Sequence, residues 1–350
     1  MNLHIPSNKI YADAQDIQID GPVLTLIGEN GCGKSAILES LFQSFLEDDT
    51  KSVVCFSSGQ NESFSVKYNE YLSISQRRLV QQGLNRGENP LRVPSFYFDP
   101  QWTRILIFFA TTMVKDGKVQ RFLREHEYVQ VDNDGRDVST RLQFSLKVPV
   151  RYTRRIQNAL AREALKPGYN SIRKTLMHQY LENLLAILEP EYSFQEQGLG
   201  KGDYELREGI VAEVFARDIG GLFTFLWYTT LKNQFIDLAS TQLTFSTGWE
   251  LNDLSDGEYQ LLTIFAILDL FDGPETLFIL DEIDSHLYYK NVNAMWQAIK
   301  NVEGKVLSTT HSADSILAHT FDQNPLSEQW PITTTNARRC FTPTFRELVC

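Results

Sequence analysis

Residues Gly28-Glu29-Asn30-Gly31-Cys32-Gly33-Lys34-Ser35 spell G-x-x-x-x-G-K-[ST] without deviation. Few patterns this short constrain a fold so tightly. The glycines let the backbone curl until successive N–H groups point inward at an anion, and the loop must be fed by a strand and followed by a helix. Both flanks read that way. Val23-Leu24-Thr25-Leu26-Ile27 is a continuous apolar run, and Ala36, Ile37, Leu38, Leu41, Phe42 and Phe45 recur at helical spacing. Asn30, Gly31, Cys32, Gly33, Lys34 and Ser35 are therefore candidate phosphate-binding residues. Lys34 is placed to reach the outer phosphates, Ser35 to ligate Mg²⁺, and the helix beginning near Gly33 adds the positive end of its dipole.

A second apolar run, Leu277-Phe278-Ile279-Leu280, reads as a strand buried on both faces and ends in Asp281-Glu282. Asp281 is a candidate metal ligand beside Ser35, and Glu282 a candidate general base that orients and deprotonates a water. His311 follows Val306-Leu307-Ser308-Thr309-Thr310, a third buried-strand pattern, where an imidazole can hydrogen-bond a phosphate or the attacking water. Leu254-Ser255-Asp256-Gly257-Glu258 precedes Asp281 and reads as a capping box, Ser255 capping a helix while Glu258 returns to the Ser255 amide. The same exposed helix N-terminus is an anion site, and Ser255 and Gly257 are its candidate contacts. Because the loop at Gly28–Ser35 already surrounds one set of phosphates, this second site suits a nucleotide held by another copy of the chain. Asp284 either caps the next helix or signals across such a dimer. Two glutamines compete for a metal-sensing role: Gln101, after Ser95-Phe96-Tyr97-Phe98-Asp99-Pro100, is preferred to Gln60, after Val53-Val54-Cys55-Phe56.

The order of elements implies an α/β class. The last third alternates helix 256–271, strand 276–281, helix 286–300 and strand 304–310, the rhythm of a parallel sheet. Stretches such as Phe64-Ser65-Val66-Lys67-Tyr68 within 51–98 suggest an antiparallel patch flanking a mixed main sheet. Asp132-Asn133-Asp134-Gly135 looks like a hairpin or loop tip, and 153–188, broken at Pro167-Gly168, and 205–238 read as amphipathic helices. The expected division is a core half over 1–111, a mainly helical insertion over 112–250, a second core half over 251–320 and an irregular tail over 321–350.

Composition narrows the classes. The chain has 350 residues, enough for one large domain or two smaller ones. No run of roughly 18 apolar residues exists, so no membrane span is expected, and the start lacks the basic and apolar regions of a signal peptide. Cys32, Cys55, Cys340 and Cys350 are scattered with no Cys-x-x-Cys pair, against a zinc ribbon or hook and in keeping with reduced thiols in a cytoplasmic setting. Lys and Arg total 33 against 44 Asp and Glu, a formal charge of -11. That balance argues against non-specific coating of nucleic acid. Arg151, Arg154, Arg155 and Arg162 are the best candidates for a local basic groove, but Glu163 interrupts them and a solvated helix face is expected there.

Taken in order, these motifs resemble the ABC-type ATPase heads of the SMC, RecF and bacterial defence families, a P-loop NTPase fold. The resemblance covers about residues 20–46 and 250–315. It implies ATP and Mg²⁺ as ligands, with Lys34, Ser35, Asp281 and Glu282 on the Walker A and B positions, Ser255 and Gly257 on the signature, Asp284 on the D-loop and His311 on the switch histidine. It further implies a head-to-tail homodimer or higher oligomer that hydrolyses ATP. The signature carries Asp256 where transporters and SMC proteins usually carry a second glycine, which looks more like the ATPases paired with separate effector proteins in anti-phage systems such as Septu, PARIS and retron-linked operons. A RecF-like DNA-repair or chromosome-maintenance ATPase is the alternative. An adenine-stacking aromatic is unassigned, with Tyr11 one candidate.

Overall fold

The computed structural model describes residues 2–7, 14–18, 21–28, 31–48, 52–58, 62–86, 93–130, 140–147, 201–207, 219–227, 236–285, 287–312 and 348–349, with single positions elsewhere. The first half contains β1 (Asn2–Ile5), β2 (Gln15–Gln18), β3 (Val23–Ile27), α1 (Lys34–Glu47), β4 (Ser52–Ser57), α2 (Glu62–Arg86), β5 (Phe96–Phe98), α3 (Thr103–Met113) and α4 (Lys118–Glu125). There follow β6 (Arg141–Lys147), β7 (Lys201–Arg207), α5 (Ile219–Trp227), β8 (Gln242–Thr244), α6 (Asp256–Phe271), β9 (Thr276–Asp281), α7 (Tyr289–Lys300), β10 (Lys305–Thr310) and β11 (Leu348–Val349). These elements group into two compact units, one of residues 1–66, 95–100 and 255–350, the other of 67–94 and 101–254.

The first unit is built on a six-stranded sheet in the order β11-β3-β10-β9-β4-β5. Every described pairing in it is parallel. Antiparallel pairing occurs instead in the β1–β2 ribbon and, in the second unit, in the sheet β7-β6-β8. The central strands are buried along nearly their whole length, as strands of a parallel sheet covered on both faces are: all six residues of β9 are buried, as are five of six in β4 and β10. The register carries Ser57 opposite Asp281 and Thr310 opposite Ile27, so four strands end together at one edge.

Side-chain spacing explains the helices. Ile37, Leu38, Leu41, Phe42, Phe45 and Leu46 bury one stripe of α1. Phe42 lies 5.9 Å from Phe64, and the Phe64 ring stacks at 6.0 Å on Tyr97 of β5. The turn into β10 is held by Asp272, whose carboxylate accepts from the N–H groups of Glu303 and Gly304 at 3.0 to 3.2 Å. Only glycine fits at 304, because a Cβ there would meet the Thr276 carbonyl oxygen at 2.5 Å.

Three expectations change. The described residues of 51–98 make no antiparallel patch: β4 and β5 join the central sheet, and Phe64–Tyr68 lies in the long helix α2. Phe64 and Tyr68 are one helical turn apart as well as on the same face of a strand, and the residue that would decide, Val66, is 54% exposed. Residues 205–238 are not one amphipathic helix. Glu205–Arg207 pairs with β6, and α5 is apolar nearly all round because Leu222, Phe223, Leu226 and Trp227 are all buried. In the tail, Leu348–Val349 pairs in parallel with β3.

The second unit packs around aromatics. Trp227 lies 4.3 Å from Trp102 and 4.7 Å from Tyr68 by ring centroids, and Phe109 meets Phe223 edge-on. Each buried ring of this size removes about 150–250 Å² from water. Arg154 and Arg162 are exposed helical residues. Arg151, Arg155, the Asp132–Gly135 loop and most of 153–188 lie outside the described residues.

Candidate functional site

Parallel strands end at the same edge, and the loops leaving that edge are where an α/β sheet builds its sites. Here β3, β10, β9 and β4 deliver, in turn, the glycine loop, His311, the Asp281-Glu282 pair and the serines Ser57-Ser58.

The glycine loop turns as its sequence requires. Gly31 has φ 82° and Gly33 φ 99°, the left-handed region that a Cβ disfavours, and Gly33 is the N-cap of α1. No side chain caps that helix end, which leaves first-turn N–H groups facing the loop for an anion. Lys34 is 4% exposed. Its ammonium donates to the Gly28 carbonyl at 2.8 Å and lies 3.9 Å from the half-buried Cys32 sulfur. The Gly28 N–H in turn donates to the Thr310 carbonyl at 3.4 Å, tying the loop to the end of β10. Asn30 and Glu29 lie outside the described residues, as do Gln60 and Tyr11.

Asp281 is 2% exposed and surrounded by hydroxyls. Ser35 donates to its Oδ1 at 3.0 Å, Thr309 to the same oxygen at 2.8 Å, and Ser57 to Oδ2 at 3.4 Å. Burial pushes its pKa up; the Thr309 and Ser35 hydrogen bonds pull it back, and the neighbouring charge of Glu282 pushes it up again. Burial likewise raises the thiol of Cys55, on β4, with the Asp281 charge adding to it.

Glu282 has φ 53°. A left-handed backbone costs a non-glycine residue about 1–2 kcal/mol, so something must hold it. Its N–H donates to Thr309 Oγ1 at 2.9 Å. Its carbonyl accepts from the hydroxyls of Ser58 and, at 2.7 Å, Ser285, and from the Ser285 N–H at 3.2 Å.

Asp284 is 4% exposed. It does not cap the following helix, which starts at Tyr289 with Tyr288 as its N-cap. Instead one carboxylate oxygen accepts from the Thr310 hydroxyl, and the other has no hydrogen-bond partner among the described residues. Thr310 Oγ1 also accepts from the Ser312 N–H at 3.0 Å, so Asp284 and Thr310 brace the turn that carries the exposed His311.

The capping box at Ser255 is formed: Ser255 Oγ accepts from the Glu258 N–H at 3.4 Å, and Glu258 Oε2 accepts from the Ser255 N–H at 3.0 Å. Ser255 is exposed while Gly257 is buried at the start of α6. Gln101 lies on the turn Pro100–Trp102 after β5. The strand order puts β4 between β5 and β9, so Ser57 and Ser58, at the end of β4, lie beside Asp281. The hydroxyls of Ser57, Ser58, Ser285 and Thr309 escaped the sequence reading. Their signal was a pair of hydroxyl residues closing each buried apolar run, Ser57-Ser58 and Thr309-Thr310.

The donor set suits a hard dication held with phosphates. Among the described residues no cluster of three His, Cys, Asp or Glu could hold a metal alone. One carboxylate and one hydroxyl in contact across the loop are what Mg²⁺ shares with a nucleotide, since it keeps several waters and few protein ligands. No described helix is long and apolar enough to cross a membrane.

No curated protein matches the chain. A family model described as "AAA domain, putative AbiEii toxin, Type IV TA system" matches residues 23–318, a span that begins with the strand feeding the glycine loop and runs past His311. With the loop, the acidic strand and the parallel sheet all inside that span, the chain belongs to this family of P-loop AAA-type ATPase domains.

Proposed function

We propose that the chain binds and hydrolyses ATP as a dimer whose closure controls a separate effector protein in prokaryotic anti-phage defence. The observation that carries the chemistry is the convergence of Ser35, Asp281 and Thr309 within 3.0 Å at the strand edge, next to a carboxylate held in a left-handed turn.

In this reading the first-turn N–H groups of α1 bind the β-phosphate, and Lys34 exchanges the Gly28 carbonyl for the β- and γ-phosphates. Mg²⁺, held by Ser35 and Asp281, would supply neutralisation of the phosphate charge. Glu282 orients a water and takes its proton, and His311 hydrogen-bonds the water or the γ-phosphate. The capped N-terminus of α6, with Ser255 and Gly257, meets the γ-phosphate of a second copy, and Asp284 takes part in signalling across that dimer. The family description, which names a toxin of a toxin–antitoxin system, supports a setting in which nucleotide state gates a partner. The cytoplasm is the compartment that fits.

Two variants test this. Lys34→Ala should weaken ATP binding about 10–100-fold, the loss of a hydrogen bond to a charged group; unchanged affinity would end the reading. Glu282→Gln with Mg-ATP should have the native mass of a closed dimer and, when purified from its host, retain a second protein. Rapid turnover by it would mean another residue is the base, and a dimer carrying only DNA would favour the repair-type alternative.

A further inference from the structure

The structure assigns Ser58 and Ser285 as positioning residues that lock the backbone of Glu282 so that its carboxylate meets the attacking water. The inference rests on Glu282 being the general base.

Glu282 is one of three described non-glycine residues with positive φ, and the only one of them at the end of a buried strand. The two others, Asp116 and Glu127, sit in turns following helices α3 and α4. A residue leaving β9 would ordinarily continue extended or enter a right-handed turn. At Glu282 both ends of the residue are gripped by side chains drawn from three different segments. Thr309, from β10, accepts from its N–H at 2.9 Å while donating to Asp281 Oδ1. Ser58, from the end of β4, and Ser285, three residues onward, both place a hydroxyl within hydrogen-bond distance of its carbonyl; the two Oγ atoms are 3.0 Å apart, and Ser58 Oγ also lies 3.4 Å from the Asp281 carbonyl. The Ser58 N–H also donates to the Asp281 carbonyl at 3.2 Å. The peptide units on either side of Glu282 are thereby fixed to both neighbouring strands.

The ladders of β9 to β4 and β10 are complete up to Asp281 and Ser308 without these bonds, and the Ser285 N–H alone would satisfy the Glu282 carbonyl. What two extra hydroxyls add is selection of one backbone rotation, which sets the direction in which the Glu282 side chain leaves the strand. An outlier held by neutral donors beside a reacting group is how backbone strain serves chemistry. Losing the grip leaves the nucleotide site intact and lets the base wander, an error that costs rate rather than binding.

The test is steady-state ATPase kinetics with Ser58→Ala, Ser285→Ala, the double variant, Ser58→Thr and Glu282→Gln, alongside ATP affinity and melting temperature. The double alanine variant should lose about tenfold in kcat with ATP affinity within twofold of the parent. Each single variant should lose less, since one hydroxyl still grips the carbonyl, and Ser58→Thr should regain the rate because it keeps the donor. If Glu282→Gln abolishes turnover but the double alanine variant keeps full kcat, the positioning role is refuted and the base stands. Turnover by Glu282→Gln at the parent rate removes the base, and the positioning role with it. A parallel fall of kcat, affinity and melting temperature marks a structural role only and overturns the inference. Should the double variant not fold, Ser58→Ala against Ser58→Thr decides on the same criteria.

Discussion

Asp281→Asn should leave the nucleotide-free protein as stable as the parent or more so, while destroying its response to Mg-ATP. The carboxyl is 2% exposed and takes three hydroxyl hydrogen bonds. An asparagine can keep all three contacts: its Oδ1 accepts from Ser35 and Thr309, and its Nδ2 faces Ser57, whose hydroxyl can accept as readily as donate. Each bond weakens from a charged to a neutral one, a loss of about 1 kcal/mol apiece. Against that, the buried ion carries an effective desolvation penalty of several kcal/mol. The two nearly cancel, with the amide ahead by about 1 kcal/mol. The direction in pH follows from the raised folded-state pKa. A raised pKa means the carboxyl's contribution is fully present below its ordinary value of 3.8 and is lost as pH rises through the folded value. The advantage of the amide therefore opens as pH rises above the carboxylate range and closes in acid. Thermal melts in EDTA from acid to neutral pH should show the variant level with the parent at the acid end and about 1–3 °C higher at neutrality. Adding Mg-ATP should raise the parent's transition and leave the variant's where it was. A variant that melts well below the parent at neutral pH without nucleotide, or one that gains as much from Mg-ATP, would refute the reasoning.

Ser255→Arg should spare ATP binding to the single chain yet cut hydrolysis at least about tenfold by blocking approach of a second copy; hydrolysis at the parent rate would remove the trans role of that helix end. Gly304→Ala should cost about 2 kcal/mol, because the new Cβ meets two backbone oxygens, of Thr276 at 2.5 Å and Gly273 at 3.0 Å, that cannot swing aside. A melting temperature equal to the parent's would show that the turn before β10 is looser than described.

Motifs tied to a backbone rule were legible. Gly31 and Gly33 need positive φ, Ser255 with Glu258 is a reciprocal cap, and a parallel strand buried on both faces must be apolar throughout; each of these appears where the residues demand it. What misled was short-range alternation. Phe64-Ser65-Val66-Lys67-Tyr68 satisfies a period of two and, through Phe64 and Tyr68, a helical period as well, and only the burial of Tyr71 and Leu72 one turn on breaks the tie. The neighbours of Asp281 were illegible for another reason. Strand order is a property of the assembled sheet, so nothing local to Ser57 announces that β4 lies beside β9 while β5 lies one strand away.

The chemistry of the donors around Asp281 has its own logic. A cation there would cancel the burial penalty and lower the pKa, but it would also compete with a metal for the same oxygens. Among the described residues Asp281 has no ion-pair partner; its three side-chain donors are hydroxyls. Neutral donors orient the carboxylate without neutralising it, so they leave most of the desolvation cost in place. In the proposed reading, Mg²⁺ arriving with a nucleotide would relieve that cost. The same hydroxyl set reaches Glu282 through Thr309, which accepts from one residue while donating to the other. A change in how Asp281 is bonded therefore passes to the backbone of Glu282 through a single side chain, which in the proposed mechanism would couple loading of the phosphate site to the aim of the base. Thr309→Val, nearly isosteric but without the hydroxyl, would cut that link at one atom.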